Sequence, residues 1–379
     1  MTERSGGKSD HAARIGSGQR AVRPIVLLLF PDEWLAFSPM TINLMGELDG
    51  RFDANVVAID TGKYGRLNDP RITYLRINLY FARALAALGL YKFVKAFLLR
   101  RYLRWNRPDI VVAVDSVGAY AAQGAGVEFH YLSLEVCRDW FFSRIKREKI
   151  LSVLIQTSER YAYLFGESKL PTYLVQNAPS FHRRWTGVRD ENALVYFGNA
   201  IAKHAIFQCV EFIDVTDKWS LTVKGNIPPA VRVQLQRRYS SLLQDRRLVL
   251  DDNYMPDEGI QAYLGRFHAG FCLYDLSLID AGDFNYMSVP SGKLFSYYAA
   301  GVPVIASDMP GLSSVSRYQT GVALSSLSAG DIGQALETID SDYSNFVDSC
   351  FRSAERFSFT RNIQPFIASL DVKQASSIR

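Results

Sequence analysis

The chain has 379 residues, 48% of them hydrophobic, which is enough to fill two ordinary cores and excludes a disordered or fibrous protein. A formal net charge of +5 suits anionic ligands or an anionic surface, but it is too small to point to nucleic acid, and no RNA- or DNA-binding motif accompanies it. Cys137, Cys209, Cys272 and Cys350 stand far apart without paired spacing, so they read as thiols of a reducing compartment and not as zinc ligands or a disulfide set.

Residues 1–22 are rich in Gly, Ser, Arg and Lys, lack an apolar stretch, and read as a disordered tail and not a signal peptide. No run approaches the ~20 apolar residues needed to cross a bilayer. The expected location is the cytoplasm. Strands are expected at 25–30, 54–59, 110–114, 127–134, 153–156 and 172–176, with a helical stretch near 40–48. Apolar strands alternating with helices imply a parallel sheet covered on both faces, here an amino-terminal lobe over 23–180.

Residues 77–107 interleave Leu79, Phe81, Leu85, Leu88, Phe93 and Phe97 with Lys92, Lys95, Arg100, Arg101 and Arg104. This reads as a basic, aromatic-rich amphipathic helix that either rests on an anionic membrane or covers a sheet with its charges in water. Residues 181–192, with Arg183, Arg184, Gly187 and Arg189, form a polar linker. A second run of strands, at 193–197, 221–223, 248–250, 270–273, 302–306 and 321–324, gives a second doubly wound lobe over 193–357. The expected fold class is α/β, two Rossmann-like lobes facing a central cleft.

The most informative stretch is 290–311, Pro-Ser-Gly-Lys-Leu-Phe-Ser-Tyr-Tyr-Ala-Ala-Gly-Val-Pro-Val-Ile-Ala-Ser-Asp-Met-Pro-Gly. Ser291 is placed to cap a helix that opens with Gly292 and Lys293, so free amides, a positive dipole end and an ammonium converge as a diphosphate site requires. Gly301 ends that helix as a left-handed cap, and a short apolar strand follows.

This stretch resembles the donor-binding segment of GT-B glycosyltransferases, particularly the family 4 type with its Pro-Ser-Lys-Leu-Phe-Glu-Tyr pattern. The resemblance extends over about residues 110–325, including Tyr131-Leu132-Ser133-Leu134-Glu135, Ile155-Gln156-Thr157-Ser158-Glu159-Arg160 and Val175-Gln176-Asn177-Ala178-Pro179. It implies that Lys293, with the amides of Ser291 and Gly292, meets the phosphates of a nucleotide sugar, and that residues 358–370 pack back on the first lobe. Ser296 falls where the family has a ribose-binding glutamate, and Ser288, eight residues earlier, where many retaining members have a second one.

Transfer of a sugar must stabilise a departing diphosphate, and an inverting enzyme also needs a base for the acceptor hydroxyl. No Asp-x-Asp doublet or paired histidines offer metal ligands, so no metal and no cofactor are expected. Glu135 is the first candidate base, Asp32 with Glu33 the second and Asp115 the third; each is also read as a helix cap or a solvated loop acid. Gly198 and Asn199 are candidates for phosphate contact, Lys203 and Lys224 for further positive charge, and Tyr254 and Met255 for the nucleotide base. The expected partners are a nucleotide-sugar donor and a glycan or lipid-linked acceptor of bacterial surface polysaccharide synthesis, with peripheral membrane contact through 77–107. A GT-B nucleotide-sugar epimerase and a nucleotide-sugar-binding protein that has lost catalysis are the alternatives.

Overall fold

Ile25–Phe30 (β1) is a continuous apolar run because both of its faces are covered: Leu27 and Leu29 enter one hydrophobic cluster, while Val26, Leu28 and Phe30 enter another on the opposite side. The computed structural model describes residues 23–181, 183–253 and 255–377. Among these, β1 lies in a seven-stranded sheet with Asp53–Asp60 (β2), Ile72–Arg76 (β3), Ile110–Val114 (β4), Phe129–Leu132 (β5), Ile150–Ile155 (β6) and Thr172–Leu174 (β7). The order is β3-β2-β1-β4-β5-β6-β7 and every pairing is parallel.

The second sheet contains Asp190–Phe197 (β8), Ser220–Lys224 (β9), Leu248–Asp251 (β10), Phe267–Cys272 (β11), Val304–Ser307 (β12) and Gly321–Leu324 (β13). It is also wholly parallel, in the order β10-β9-β8-β11-β12-β13. In each sheet the strand order reverses beside the first strand, between β1 and β4 and between β8 and β11. Loops leaving the carboxyl ends there diverge and open a crevice, which is where such sheets hold ligands. The α/β class with two doubly wound sheets is the architecture expected from the alternating pattern.

The chain then returns to its beginning. Helix Phe359–Ser377 buries Phe359, Ile363, Phe366, Ile367 and Leu370 in the same cluster as Val26, Leu28 and Phe30. Its start lies against the outgoing segment: Ser180 Oγ and Thr360 Oγ1 are 2.6 Å apart, and the Phe181 amide donates to Ser358 Oγ at 3.3 Å.

Three local features depart from the pattern in the sequence. The strand β3 is an edge strand with only intermediate burial, so it lacks the apolar run that marks the inner strands. Residues 77–107 form two helices, Leu79–Ala87 and Tyr91–Asn106, separated where Gly89 adopts φ +69°. The strand β8 begins at Asp190, inside the segment that reads as a linker, and Trp185 of that segment covers Gly265 so closely that a Cβ there would lie 2.5 Å from its ring.

Candidate functional site

Helix Gly292–Ala300 sets the second lobe's side of the crevice. Ser291 stands at its N-cap, yet its hydroxyl makes no cap bond and turns instead toward Tyr274 and Cys272, which leaves the first-turn amides without a side-chain acceptor. The helix end faces the first lobe, since a Cβ on Gly292 would sit 3.3 Å from Asn177 Nδ2. Gly301 ends the helix at φ +65°, where Phe351 leaves no room for a side chain.

Lys293 is buried, and among the described residues its ammonium has no hydrogen-bond partner. It lies 4.8 Å from the centre of the Tyr196 ring and 5.0 Å from that of Tyr274. Burial holds its pKa below the ordinary lysine range, while the thiols of Cys272 and Cys209 oppose that shift. Ring faces only partly offset the desolvation of a buried cation, so the ammonium is left without a full counterweight among the described residues. Ser296 spends its hydroxyl on the Gly292 carbonyl one turn back, at 3.3 Å.

The turn after β8 places Gly198 and Asn199 at the same crevice. Gly198 has φ +112°, and Gly225, after β9, passes so close that a Cβ there would lie 2.2 Å from Gly198 O. Asn199 Oδ1 accepts from Asn226 Nδ2 at 2.9 Å. Lys224, expected as a phosphate cation, is instead buried and committed: its Nζ donates to Asn253 O at 2.7 Å and pairs with Asp251 at 3.0 Å. Met255 lies against Gly259, with Cγ 3.4 Å from where a Cβ would stand. Tyr254 lies outside the described residues. Lys203 extends over the Tyr286 ring at 5.5 Å.

His204 belongs to this turn. Its Nδ1 is 2.8 Å from Asn199 O and its Nε2 2.7 Å from Tyr286 OH, a pattern satisfied by a neutral ring that donates from Nδ1 and accepts at Nε2. Burial, followed by the Lys293 charge, lowers its pKa from 6.5 to about 4. The unfolded chain therefore takes up a proton below pH 6.5 that the folded protein refuses until about pH 4. Stability falls as pH drops through that window, by about 3 kcal/mol. Urea unfolding at pH 7 and pH 4 should show this loss in the wild type and not in His204→Gln; equal pH slopes for the two proteins would exclude it.

The first lobe contributes acids at its strand ends. Asp32 is ion-paired with Lys95 at 2.5 Å, and Glu33 accepts from Thr61 Oγ1 at 2.7 Å and from Tyr91 OH. Lys95 is thus a buried partner of the cleft acids and not part of a solvated basic face. Lys92 likewise pairs with Asp139 at 2.8 Å.

Asp115, at φ +50°, accepts from the Leu134 and Glu135 amides at 2.8 and 3.1 Å. These two bonds tie it to the 133–136 loop, which it organises, and burial pushes its pKa well above the carboxylate range. Glu135 is the exposed acid of this group; it feels the Arg160 charge but forms no ion pair among the described residues. One carboxylate oxygen accepts from Asn285 Nδ2 of the second lobe.

Two residues missed in the sequence join the lobes. Arg160, fully buried, donates to Leu134 O at 3.0 Å in its own lobe. Across the crevice it donates to Asn285 O at 3.2 Å, Asn285 Oδ1 at 3.0 Å and Ser288 Oγ at 3.3 Å. Asn285 Oδ1 also accepts from the Val136 amide at 2.8 Å, and Phe284 stacks on Tyr163 with ring centres 4.1 Å apart. The Thr-Ser-Glu-Arg run marks a helix start, but nothing local to it shows that the arginine is met by residues about 125 positions later.

No family model and no curated protein sequence matches the chain. Solved structures do. Anabaena HepE, determined in complex with UDP, superposes with a TM-score of 0.64 at 10% identity, covering 93% of this chain and 100% of its own. A putative UDP-N-acetylglucosamine 2-epimerase from Listeria monocytogenes gives 0.62 at 13% identity, covering 93% and 97%. The lipopolysaccharide outer core galactosyltransferase WaaB gives 0.59 at 15% identity, covering 91% and 99%. Two wholly parallel sheets, a crevice at their switch points and a last helix that returns to the first lobe give this chain the GT-B fold.

Proposed function

We propose that the protein is a glycosyltransferase that moves a sugar from a nucleotide-sugar donor to a glycan or lipid-linked glycan acceptor in bacterial surface polysaccharide synthesis. The observation that carries this reading is the unpartnered, buried Lys293 ammonium beside the uncapped amino end of helix Gly292–Ala300, turned toward the opposite lobe. A diphosphate there would meet free amides of the first turn and the ammonium together. The charge that grows on it as the glycosidic bond breaks would then be stabilised by dipoles already in place.

Glu135 is the carboxylate proposed to take the proton of the acceptor hydroxyl as that oxygen bonds the sugar carbon and the diphosphate departs with the bonding pair. Asn285 holds one of its oxygens and leaves the other for the acceptor. The reaction as proposed uses no metal. Gly198, Asn199 and Lys203 are proposed to border the donor phosphates, and Met255 and Tyr254 the nucleotide base. HepE was solved with UDP, which makes uridine nucleotides the first donors to try.

Peripheral association with the inner face of a membrane is part of the proposal. Tyr80, Phe81, Leu88 and Phe97 are each more than half exposed, and Arg101 and Arg104 are exposed on the adjoining helix. Aromatic and aliphatic side chains in water beside arginines suit an anionic lipid surface. Among the described residues no helix is long and apolar enough to cross a membrane.

The likeness to a putative 2-epimerase favours a second reading, isomerisation of the donor sugar without an acceptor. Thermal shift with UDP, GDP, dTDP and CDP, followed by product analysis of the matching sugar nucleotides with and without glycan acceptors, tests both. Stabilisation by one nucleotide and acceptor-dependent release of its diphosphate is the expected result. An acceptor-free sugar isomer would replace transfer with epimerisation, and no stabilisation by any nucleotide would overturn both.

A further inference from the structure

A cavity of about 620 Å³ opens between the lobes beside the 288–290 segment, bounded by the loops after β6 and β12 and by the end of the helix that leads to the returning one. Pro290 and Phe295 face it, whereas Lys293 on the same helix points away to Tyr196 and Tyr274. It is therefore distinct from the proposed donor site.

Three observations give it a chemical character. Arg317 and Arg356 line it, and among the described residues neither guanidinium has a carboxylate within ion-pair distance. Arg356 rests on the Tyr318 ring at 4.4 Å, which holds its planar fork in place without consuming its donors. The second observation is Gln156. It is 4% exposed, and its Oε1 has no partner among the described residues, so a buried acceptor at the cavity wall lacks a hydroxyl or amide donor. The third is the apolar surface, where the half-buried rings of Tyr318 and Phe357 provide faces suited to the C–H side of a sugar. The carboxylate at the cavity, Glu159, has its pKa held low by a bond to its own amide, by the hydroxyls of Thr157 and Ser158 and by the Arg317 charge, so one acid faces two arginines.

We infer that this cavity binds an acidic saccharide, with its carboxylate or phosphate held by Arg317 and Arg356, a hydroxyl donated to Gln156 Oε1, and a ring face on Phe357 or Tyr318. The volume fits one or two sugar rings. Because the walls come from both lobes and from the returning helix, the bound sugar bridges the two lobes. The inference is independent of the donor reading.

Saturation-transfer NMR and titration on the full chain with D-glucuronate, D-glucose 6-phosphate, D-glucose and inorganic phosphate test it. Both arginines are exposed, so Arg317→Gln/Arg356→Gln is expected to fold. At least one acidic sugar should bind about tenfold or more tightly than glucose, and the double variant should lose about tenfold or more of that affinity while its affinity for UDP stays unchanged. Glucuronate or glucose 6-phosphate as the stronger ligand distinguishes a carboxylate from a phosphate source. Acidic sugars that bind no better than glucose, or equally to the double variant, overturn the site. Inorganic phosphate binding as tightly as the sugar phosphate reduces it to an anion contact and overturns the saccharide. Failure of UDP alone would count against the donor site and leave this one standing.

Discussion

Replacing Lys293 with methionine is expected to have opposite effects on the free and liganded protein. Methionine keeps the unbranched stem in its apolar channel between Tyr196 and Tyr274 and removes a charge that has no partner among the described residues. The ligand-free protein should become more stable, by about 1 to 4 kcal/mol, since a buried charge exchanged for an apolar group of similar shape ceases to require desolvation. Binding of the donor diphosphate should weaken about tenfold to a hundredfold, the loss of one charge-assisted contact of about 1.5 to 3 kcal/mol.

The pH dependence has a definite sign. The folded lysine has a pKa below 10.5, so the unfolded chain holds the proton more tightly, and the cost to folding is fully present below the folded pKa and fades as pH rises toward 10.5. Wild type should therefore gain stability on the alkaline side, and Lys293→Met should not. Urea unfolding across alkaline pH, with thermal shifts by the nucleotide diphosphate, checks both halves. A destabilised variant that binds as well as wild type would make Lys293 a structural residue and remove it from the phosphate site.

Arg160→Met is expected to loosen the lobes. Four hydrogen bonds from one guanidinium are lost, three of them to the opposite lobe, and their acceptors are left in a water-poor interface. A loss of about 2 to 4 kcal/mol is expected, because each contact to a charged donor is worth more than a neutral one but part of the gain already offsets burial of the arginine. Asn285 would also lose the partner that steadies its amide against Glu135. Denaturant unfolding together with small-angle scattering separates the outcomes. Lower stability with a larger radius of gyration supports an interlobe tie, whereas lower stability at unchanged dimensions restricts Arg160 to its own lobe.

The inner strands were legible because burial on both faces leaves a signature no turn can imitate: 25–30 and 110–114 coincide with observed inner strands. The edge strand Ile72–Arg76 was not, since its exposed side admits Thr and Arg. For the site, local spacing identified the helix that starts at Gly292 and its left-handed end at Gly301. It failed for Lys224 and Lys95, where a lysine's partner decides its role and the partners, Asp251 and Asp32, come from other strand ends. Arg160 and Asn285 were missed for the same reason on a larger scale, because their meeting depends on how the two lobes are set against each other.

The returning helix has a consequence for the order of assembly. The second lobe is continuous along the chain and closes its core without the returning helix. The first lobe does not, because Phe359, Ile363, Phe366, Ile367 and Leu370 follow the whole second lobe in the chain. Until those five side chains arrive, one flank of the earliest-made sheet stays wet, and a nascent chain stalled before residue 358 would expose a sticky, half-finished body for chaperones to shield.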